Sequence, residues 1–142
     1  MRQLIAALLL TAVAACSSSS SSGVTATSQN SQTVTQRELG RAFSMKVGES
    51  IQLNDLRLTF RSVEGDSRCP MDAICVWAGD AEIALRIEQG GKAAVAALHT
   101  TLEPKKTEWN GYTIQLVSVS PARRASVPVK TEEYRAELLV TR

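Results

Sequence analysis

The stretch that decides the fold is AEIALRIEQGGKAAVAAL, residues 81–98. Apolar side chains occupy every second position of its first half, at Ala81, Ile83, Leu85 and Ile87. A period of two is that of a β-strand with one face toward a core and the other toward water. Gly90-Gly91 supplies the positive φ angles that a tight hairpin needs. We therefore predict that residues 83–88 pair with residues 92–98.

The same alternation recurs on both sides of this hairpin, and no window after residue 40 keeps an apolar period of 3.6. The alternating apolar positions are Phe43, Met45, Val47, Ile51, Leu53, Leu56, Leu58, Phe60, Ile114, Leu116, Tyr134, Ala136, Leu138 and Val140. Asn110-Gly111 marks a second hairpin, pairing 107–109 with 112–119. We predict an all-β domain over 41–142, with about seven short antiparallel strands. A β-sandwich is favoured over a compact barrel.

The composition excludes some classes of function. The chain has 142 residues, enough for one domain, with 16 Lys and Arg against 14 Asp and Glu. A charge balance this close to neutral provides no basic field for nucleic acid. Aromatic residues make up only 4% of the chain, so few platforms remain on which sugars or bases would stack. We predict no nucleic-acid partner and no cofactor.

The N-terminus has the features of an export signal. After Met1-Arg2, residues 4–15 read LIAALLLTAVAA, which is too short for a membrane span of about 20 residues. We predict a signal peptide over 1–15. The sequence Val13-Ala14-Ala15-Cys16 resembles the bacterial lipobox, which implies lipid on the thiol and the amine of Cys16. An ordinary secretory signal and a membrane helix are the alternatives.

The next segment is predicted to be a tether. Residues 17–36 read SSSSSSGVTATSQNSQTVTQ, and a stretch so polar cannot bury enough surface to fold. We assign residues 16–40 to the lipidated Cys16 and a flexible linker reaching roughly 25 Å. The membrane would then be a partner through that lipid. The expected location is the cell envelope, on the outer membrane facing the periplasm if the cell is Gram-negative.

A cysteine segment, DSRCPMDAICVWAG at 66–79, is the most distinctive part of the domain. With Cys16 assigned to the lipid, the remaining pair is Cys69 and Cys75. In an oxidising compartment this pair is predicted to form a disulfide. Pro70 would stiffen the loop. Trp77 is predicted to pack over the bridge and to seal one end of the core.

This segment also carries a resemblance. Asp66, Arg68, Cys69 and Pro70, followed by Cys75, Trp77, Ala78 and Gly79, form the pattern D-x-R-C-P…C-x-W-A-G. The pattern is similar to that of small bacterial secreted proteins and lipoproteins of uncharacterised function. Residues 43–48 and 111–116 extend the resemblance over roughly 43–142. The resemblance implies an exported β-domain and implies no reaction.

We expect a non-catalytic envelope protein that binds a protein or a small ligand. The residues of the candidate binding loop are Asp66, Arg68, Pro70, Asp72 and Trp77. A structural interpretation stays open, in which Arg68 and Asp66 pair across the loop base and simply hold it. Inhibition of an envelope hydrolase is a special case, because a rigid disulfide loop lowers the entropic cost of binding.

Three further hypotheses depend on other residue sets. Soft ligands for copper are found at Cys69, Met71, Cys75 and His99. Oxygen ligands for a hard cation are found at Glu64, Asp66, Asp72 and Asp80, although these acids are expected to form a solvated rim. A Ser–His–Asp or Cys–His enzyme would have to use His99, the only histidine, which is expected at a strand end on the surface. Two carboxylates could instead serve a glycosidase, but aromatic platforms for sugars are scarce.

Overall fold

The computed structural model describes residues 35–142. The predicted signal peptide, Cys16 and residues 17–34 of the predicted tether lie outside these residues. The strands are β1 Thr35–Gln36, β2 Ala42–Lys46, β3 Ser50–Leu53, β4 Leu56–Asp66, β5 Ala81–Gln89, β6 Lys92–His99, β7 Lys106–Trp109, β8 Tyr112–Ser120 and β9 Arg135–Thr141. Thr131–Glu133 form a short 3-10 turn. Residues 35–142 include no helix long and apolar enough to cross a membrane.

The strands form two sheets, and the prediction of an all-β fold is confirmed. One sheet has the order β1-β3-β4-β5-β6, and the other has the order β2-β9-β8-β7. Every neighbouring pair is antiparallel except β1 and β3, which run parallel. The short β1 was not predicted because Thr35 and Gln36 lie in a polar stretch without apolar alternation. Backbone pairing to β3 holds it, so the sheet begins before residue 41.

Both predicted hairpins are confirmed. In the first, β5 pairs with β6 from Ile83 opposite Leu98 to Gln89 opposite Lys92, and both glycines of the Gly90-Gly91 turn have positive φ. In the second, β7 pairs with β8 around the Asn110-Gly111 turn. These turns set the register that directs alternate side chains to the inside.

The alternating apolar positions form a single core between the sheets. The largest fully buried side chains are Tyr112, Phe60, Met45, Ile51, Leu53, Leu56, Leu58, Ile83, Leu85, Ile87, Leu98 and Ile114. Both sheets contribute to this cluster. Burying an aliphatic side chain of this size stabilises a fold by about 1.5–3 kcal/mol. Because residues 35–142 hold a complete two-sheet core, this part of the chain folds as a unit of its own.

One long connection lies outside the two sheets, between β4 and β5. The last residue of β4, Asp66, lies opposite the first residue of β5, Ala81. Residues 67–80, here called the Cys loop, therefore start and finish side by side at one end of the five-stranded sheet. They contain both cysteines of the domain and include no strand.

Candidate functional site

Backbone hydrogen bonds and a disulfide close the Cys loop. The N–H of Ser67 donates to the carbonyl of Asp80 at 2.7 Å, and the N–H of Cys69 donates to the carbonyl of Ala78 at 2.8 Å. Cys69 and Cys75 form the predicted disulfide, with their Cα atoms 5.9 Å apart. The loop is thus a closed and braced structure.

Asp66, the last residue of β4, and Arg68, near the start of the Cys loop, form an ion pair at the base of the loop. The guanidinium donates through Nε to Oδ1 of Asp66 at 2.8 Å and through Nη2 to Oδ2 at 2.7 Å. The Arg68 side chain is 16% exposed and that of Asp66 is 6% exposed. Arg68 also donates to the carbonyls of Val119 and Pro121. The pair that the structural interpretation predicted is therefore present, and it fastens the loop base to the end of β8 and to Pro121.

Tyr134 completes this cluster. Its hydroxyl donates to Oδ2 of Asp66 at 3.0 Å. Burial by itself would raise the pKa of Asp66, but the hydrogen bonds from Arg68 and Tyr134 outweigh it and lower that pKa. Burial and the adjacent carboxylate raise the pKa of Tyr134. The carboxylate of Asp66 is thus kept charged and has its hydrogen-bonding partners within the protein.

The segment after β8 braces the outer part of the loop. The Arg123 guanidinium donates to the carbonyl of Arg68 at 2.9 Å, and its own carbonyl accepts from the N–H of Met71 at 2.9 Å. The carboxylate of Asp72 accepts from the N–H of Ala125 at 2.8 Å. Asp72 thus holds the loop to its neighbour, and its side chain is exposed beside the apolar residues of the loop.

Gly79 is required where the loop returns to the sheet. Its φ is +71°, and a Cβ built on it would lie 1.9 Å from the carbonyl oxygen of Ser67. Only glycine adopts this backbone conformation without cost and permits so close an approach. The glycine therefore allows the two ends of the loop to lie side by side.

The exposed face of the loop is apolar. Met71 is 70% exposed, Trp77 is 66% exposed, and Ile74 and Val76 are fully exposed. The prediction that Trp77 seals one end of the core is wrong. Every residue from 71 to 78 is exposed, and the indole of Trp77 faces solvent instead of closing the core. We call Met71, Ile74, Val76 and Trp77 the apolar tip.

The Asp80–His99 pair lies beside the loop. Nδ1 of His99 is 2.7 Å from Oδ2 of Asp80, while Oδ1 of Asp80 accepts from the N–H groups of Thr101 at 2.8 Å and Leu102 at 3.3 Å. Burial alone would raise the pKa of Asp80, but these hydrogen bonds lower it to about 2. Asp80 is only 8% exposed, so its expected place in a solvated rim is wrong.

His99 ends β6, as predicted for a strand end, but its side chain is only 16% exposed. His99 is therefore less exposed than the prediction of a surface position implied, because its imidazole is hydrogen-bonded to the buried Asp80. The pair lines a cleft together with Gly65, Asp66, Ser67, Trp77, Glu82 and Leu102. The Ser67 hydroxyl bonds the backbone of Asp80, so it does not complete a Ser–His–Asp arrangement.

The geometry does not favour the copper site or the hard-cation site. The disulfide consumes both thiols, which removes the thiolates that copper would use. The four acids have separate partners: Glu64 accepts from Ser62, Asp66 from Arg68, Asp72 from Ala125 and Asp80 from Thr101. Within residues 35–142, no group of three or more His, Cys, Asp or Glu side chains is placed to hold a metal ion.

Sequence reasoning missed Ile74 and Val76 as surface residues and Arg123 and Tyr134 as braces. A signal for the first two was present, because four large apolar residues fall within 71–77 without strand alternation. The braces had no such signal, since they are remote from the loop in sequence. A scan against protein-family models and searches of curated proteins and solved structures found no match for this chain.

Proposed function

We propose that this protein is a lipid-anchored protein of the cell envelope that binds a partner protein through the apolar tip of its Cys loop, without catalysis. The observation that carries the proposal is the exposure of Met71, Ile74, Val76 and Trp77 on a loop that is otherwise held rigid. Large apolar side chains gathered in this way mark interaction sites on protein surfaces.

The composition and rigidity of the tip suit a protein interface. Tryptophan and methionine are enriched at interfaces, and tryptophan is among the residues that contribute most to binding. The disulfide and the braces from Arg68, Arg123 and Asp72 fix the loop before any partner arrives. Such preorganisation lowers the entropy lost on association.

A protein partner fits this surface better than a small ligand. Small-molecule sites are concave and enclose most of their ligand, whereas Ile74 and Val76 stand fully in solvent. A side chain so exposed must enter a groove that the partner supplies. We infer that the partner has an apolar groove able to take the indole of Trp77 and the two aliphatic side chains.

Inhibition of an envelope hydrolase is a specific form of this proposal. Its support is the combination of a disulfide-closed loop with fully exposed side chains at 74 and 76, which is suited to entering an active-site cleft. Residual activity of a panel of envelope proteases and lysozymes tests it. Inhibition by the natural protein that is lost in Val76→Ala would support the inhibitor hypothesis. Full activity of every enzyme in the presence of the natural protein would exclude it.

The proposed anchor depends on the resemblance of residues 13–16 to a lipobox. Cys16→Ser should move the protein from the membrane fraction to the soluble fraction of the cell envelope. A matched change, Ser17→Ala, should leave it in the membrane fraction. If Cys16→Ser stays membrane-bound after cleavage of the signal, the anchor is not the lipid on this cysteine.

The binding itself is tested by affinity capture from envelope extracts with residues 31–142. The triple variant Ile74→Ala, Val76→Ala and Trp77→Ala removes most of the tip while keeping the disulfide and its braces. Val117 is an exposed apolar residue outside the loop, and Val117→Ala is the control. We expect one protein to be retained by the natural sequence and by the control, and to be lost with the triple variant.

A further inference from the structure

Strand β6 forms a free edge of the five-stranded sheet. Within the part of the chain that the structure describes, β6 pairs with β5 and with no other strand. A strand at an edge presents a row of backbone N–H and C=O groups that can pair with another strand.

The free backbone groups of β6 can be identified. The N–H of Thr100 donates to the carbonyl of Ala81 at 3.0 Å, so the 81–100 pair is hydrogen-bonded. Hydrogen-bonded and non-hydrogen-bonded pairs alternate along an antiparallel ladder. The backbone groups of residues 93, 95 and 97 therefore point away from β5. The N–H of His99, which follows in the same alternation, also points away from β5, because it donates to the carbonyl of Pro104 at 3.0 Å on the outer side of β6.

The side chains of β6 do not protect this edge. Ala93, Val95 and Ala97 are exposed, small and uncharged, and Val95 is 52% exposed. Neither a proline nor a charged residue interrupts 93–98. Proteins ordinarily protect such edges with charges, prolines, bulges or very short strands.

The other three edge strands are shorter than β6, which has eight residues. Strand β1 has only two residues. Strand β7 has four and exposes the charged residues Lys106 and Glu108. Strand β2 has five residues against eight in β6; both strands have a lysine at one end, so β2 differs from β6 in its length. Of the four edges in residues 35–142, only β6 is both long and free of charge over its middle.

We propose that two copies of this protein associate through β6, in antiparallel pairing about a two-fold axis at Val95. Val95 then lies opposite Val95 of the second copy, and Ala93 lies opposite Ala97 of the second copy. Each of these is a hydrogen-bonded pair, because residues 93, 95 and 97 all direct their backbone groups outward. The pairing joins two five-stranded sheets into one continuous sheet.

A second copy fits this edge better than a foreign peptide. Antiparallel pairing about Val95 satisfies the same donors and acceptors on both molecules, which is the self-complementarity of a two-fold interface. A bound peptide is recognised by pockets for its alternate side chains, and a row of Ala93, Val95 and Ala97 provides none. The proposal does not depend on the function proposed for the Cys loop.

Analytical ultracentrifugation of residues 31–142 tests the proposal. We expect concentration-dependent dimers below about 1 mM, the range in which weak contacts associate. Val95→Lys places two like charges opposite each other on the axis, and Val95→Glu does the same with the opposite sign. Each variant alone should be monomeric, and an equal mixture of the two should regain dimers because the opposed charges then attract.

Two controls separate edge pairing from other causes. Val117→Lys makes the same change at another exposed strand position and should leave the dimer intact. The thermal midpoint of both Val95 variants should stay near that of the natural protein, since this side chain faces solvent. Monomers at every concentration of the natural protein would overturn the proposal, as would association of Val95→Lys equal to that of the natural protein.

Discussion

The guanidinium of Arg68 forms a bidentate ion pair with the carboxylate of Asp66, although only one residue separates them in sequence. Both side chains are largely buried, and Arg68 also reaches two backbone carbonyls at the end of β8. The most polar residues of the Cys loop region thus hold the loop, while its apolar residues face solvent. This reverses the usual placement of polar and apolar side chains, and it is why we propose that the apolar tip binds a partner.

Removing Arg68 should destabilise the domain. Arg68→Ala leaves the carboxylate of Asp66 buried with only Tyr134 as a side-chain donor, and breaking a buried pair in this way costs about 3 kcal/mol. Urea unfolding of the natural and variant proteins measures this difference in the free energy of unfolding. Arg86 pairs with Glu88 at a much more exposed site, so Arg86→Ala should cost far less. Equal losses in the two variants would contradict the role given to Arg68.

Removing the disulfide should lower stability moderately. Cys69→Ser together with Cys75→Ser frees a loop whose ends lie 6 residues apart in sequence, and the chain-entropy estimate for so short a loop is about 2 kcal/mol. The two-sheet core is untouched, so the far-ultraviolet circular dichroism should keep its β-sheet form. Hydrogen exchange should quicken at Met71 and Ala73, whose N–H groups are bonded within or beside the loop. Unchanged exchange at both amides would show that the braces alone hold the loop.

Gly79→Ala should disrupt the loop base. The new Cβ meets the Ser67 carbonyl and the residue keeps a positive φ, a conformation that costs about 1–3 kcal/mol for a non-glycine residue. Gly65 is the matched control, since it has an ordinary φ and no atom within 4 Å of an added Cβ. Thermal denaturation should show a clear drop for Gly79→Ala and little change for Gly65→Ala. A drop of equal size in both would contradict the explanation.

Asp80 should contribute to the dependence of stability on pH. The folded-state pKa of about 2 lies below the ordinary aspartate value of 3.8, so its charged form stabilises the fold above about pH 4. That contribution, at most about 2 kcal/mol, is lost as the pH falls through the folded-state pKa. The difference in free energy of unfolding between the natural protein and Asp80→Asn should therefore shrink from about pH 5 to about pH 2. A difference that stays constant over this range would contradict the assignment.

The sequence predicted the sheets better than it predicted the loop, for physical reasons. Alternation at Ile83, Leu85 and Ile87 and the Gly90-Gly91 turn are local signals, so the strands and hairpins could be predicted. The disulfide also followed from cysteine count and spacing. The exposure of Trp77 had no such local signal, and the loop that carries it is fastened by contacts of Arg68 with Val119 and Pro121, about fifty residues away in sequence.

Asp80 illustrates the same limit. Its neighbours in sequence gave no sign that the N–H groups of Thr101 and Leu102 would surround its carboxylate. The pairing of β5 with β6 brings these groups together, and that pairing was predicted, but the path of the chain after His99 was not. Side-chain burial at a loop therefore required the structure, whereas burial in the strands followed from the pattern.

The central claim is that the apolar tip contacts a protein in the envelope. Its most direct test is a photo-activatable amino acid at residue 76, introduced into the full-length chain in its native cells. We predict one discrete protein adduct at this position, absent when the same group replaces Val117 and absent when Trp77→Ala accompanies it. Adducts only to lipid at residue 76, or the same adducts at 76 and 117, would contradict the claim.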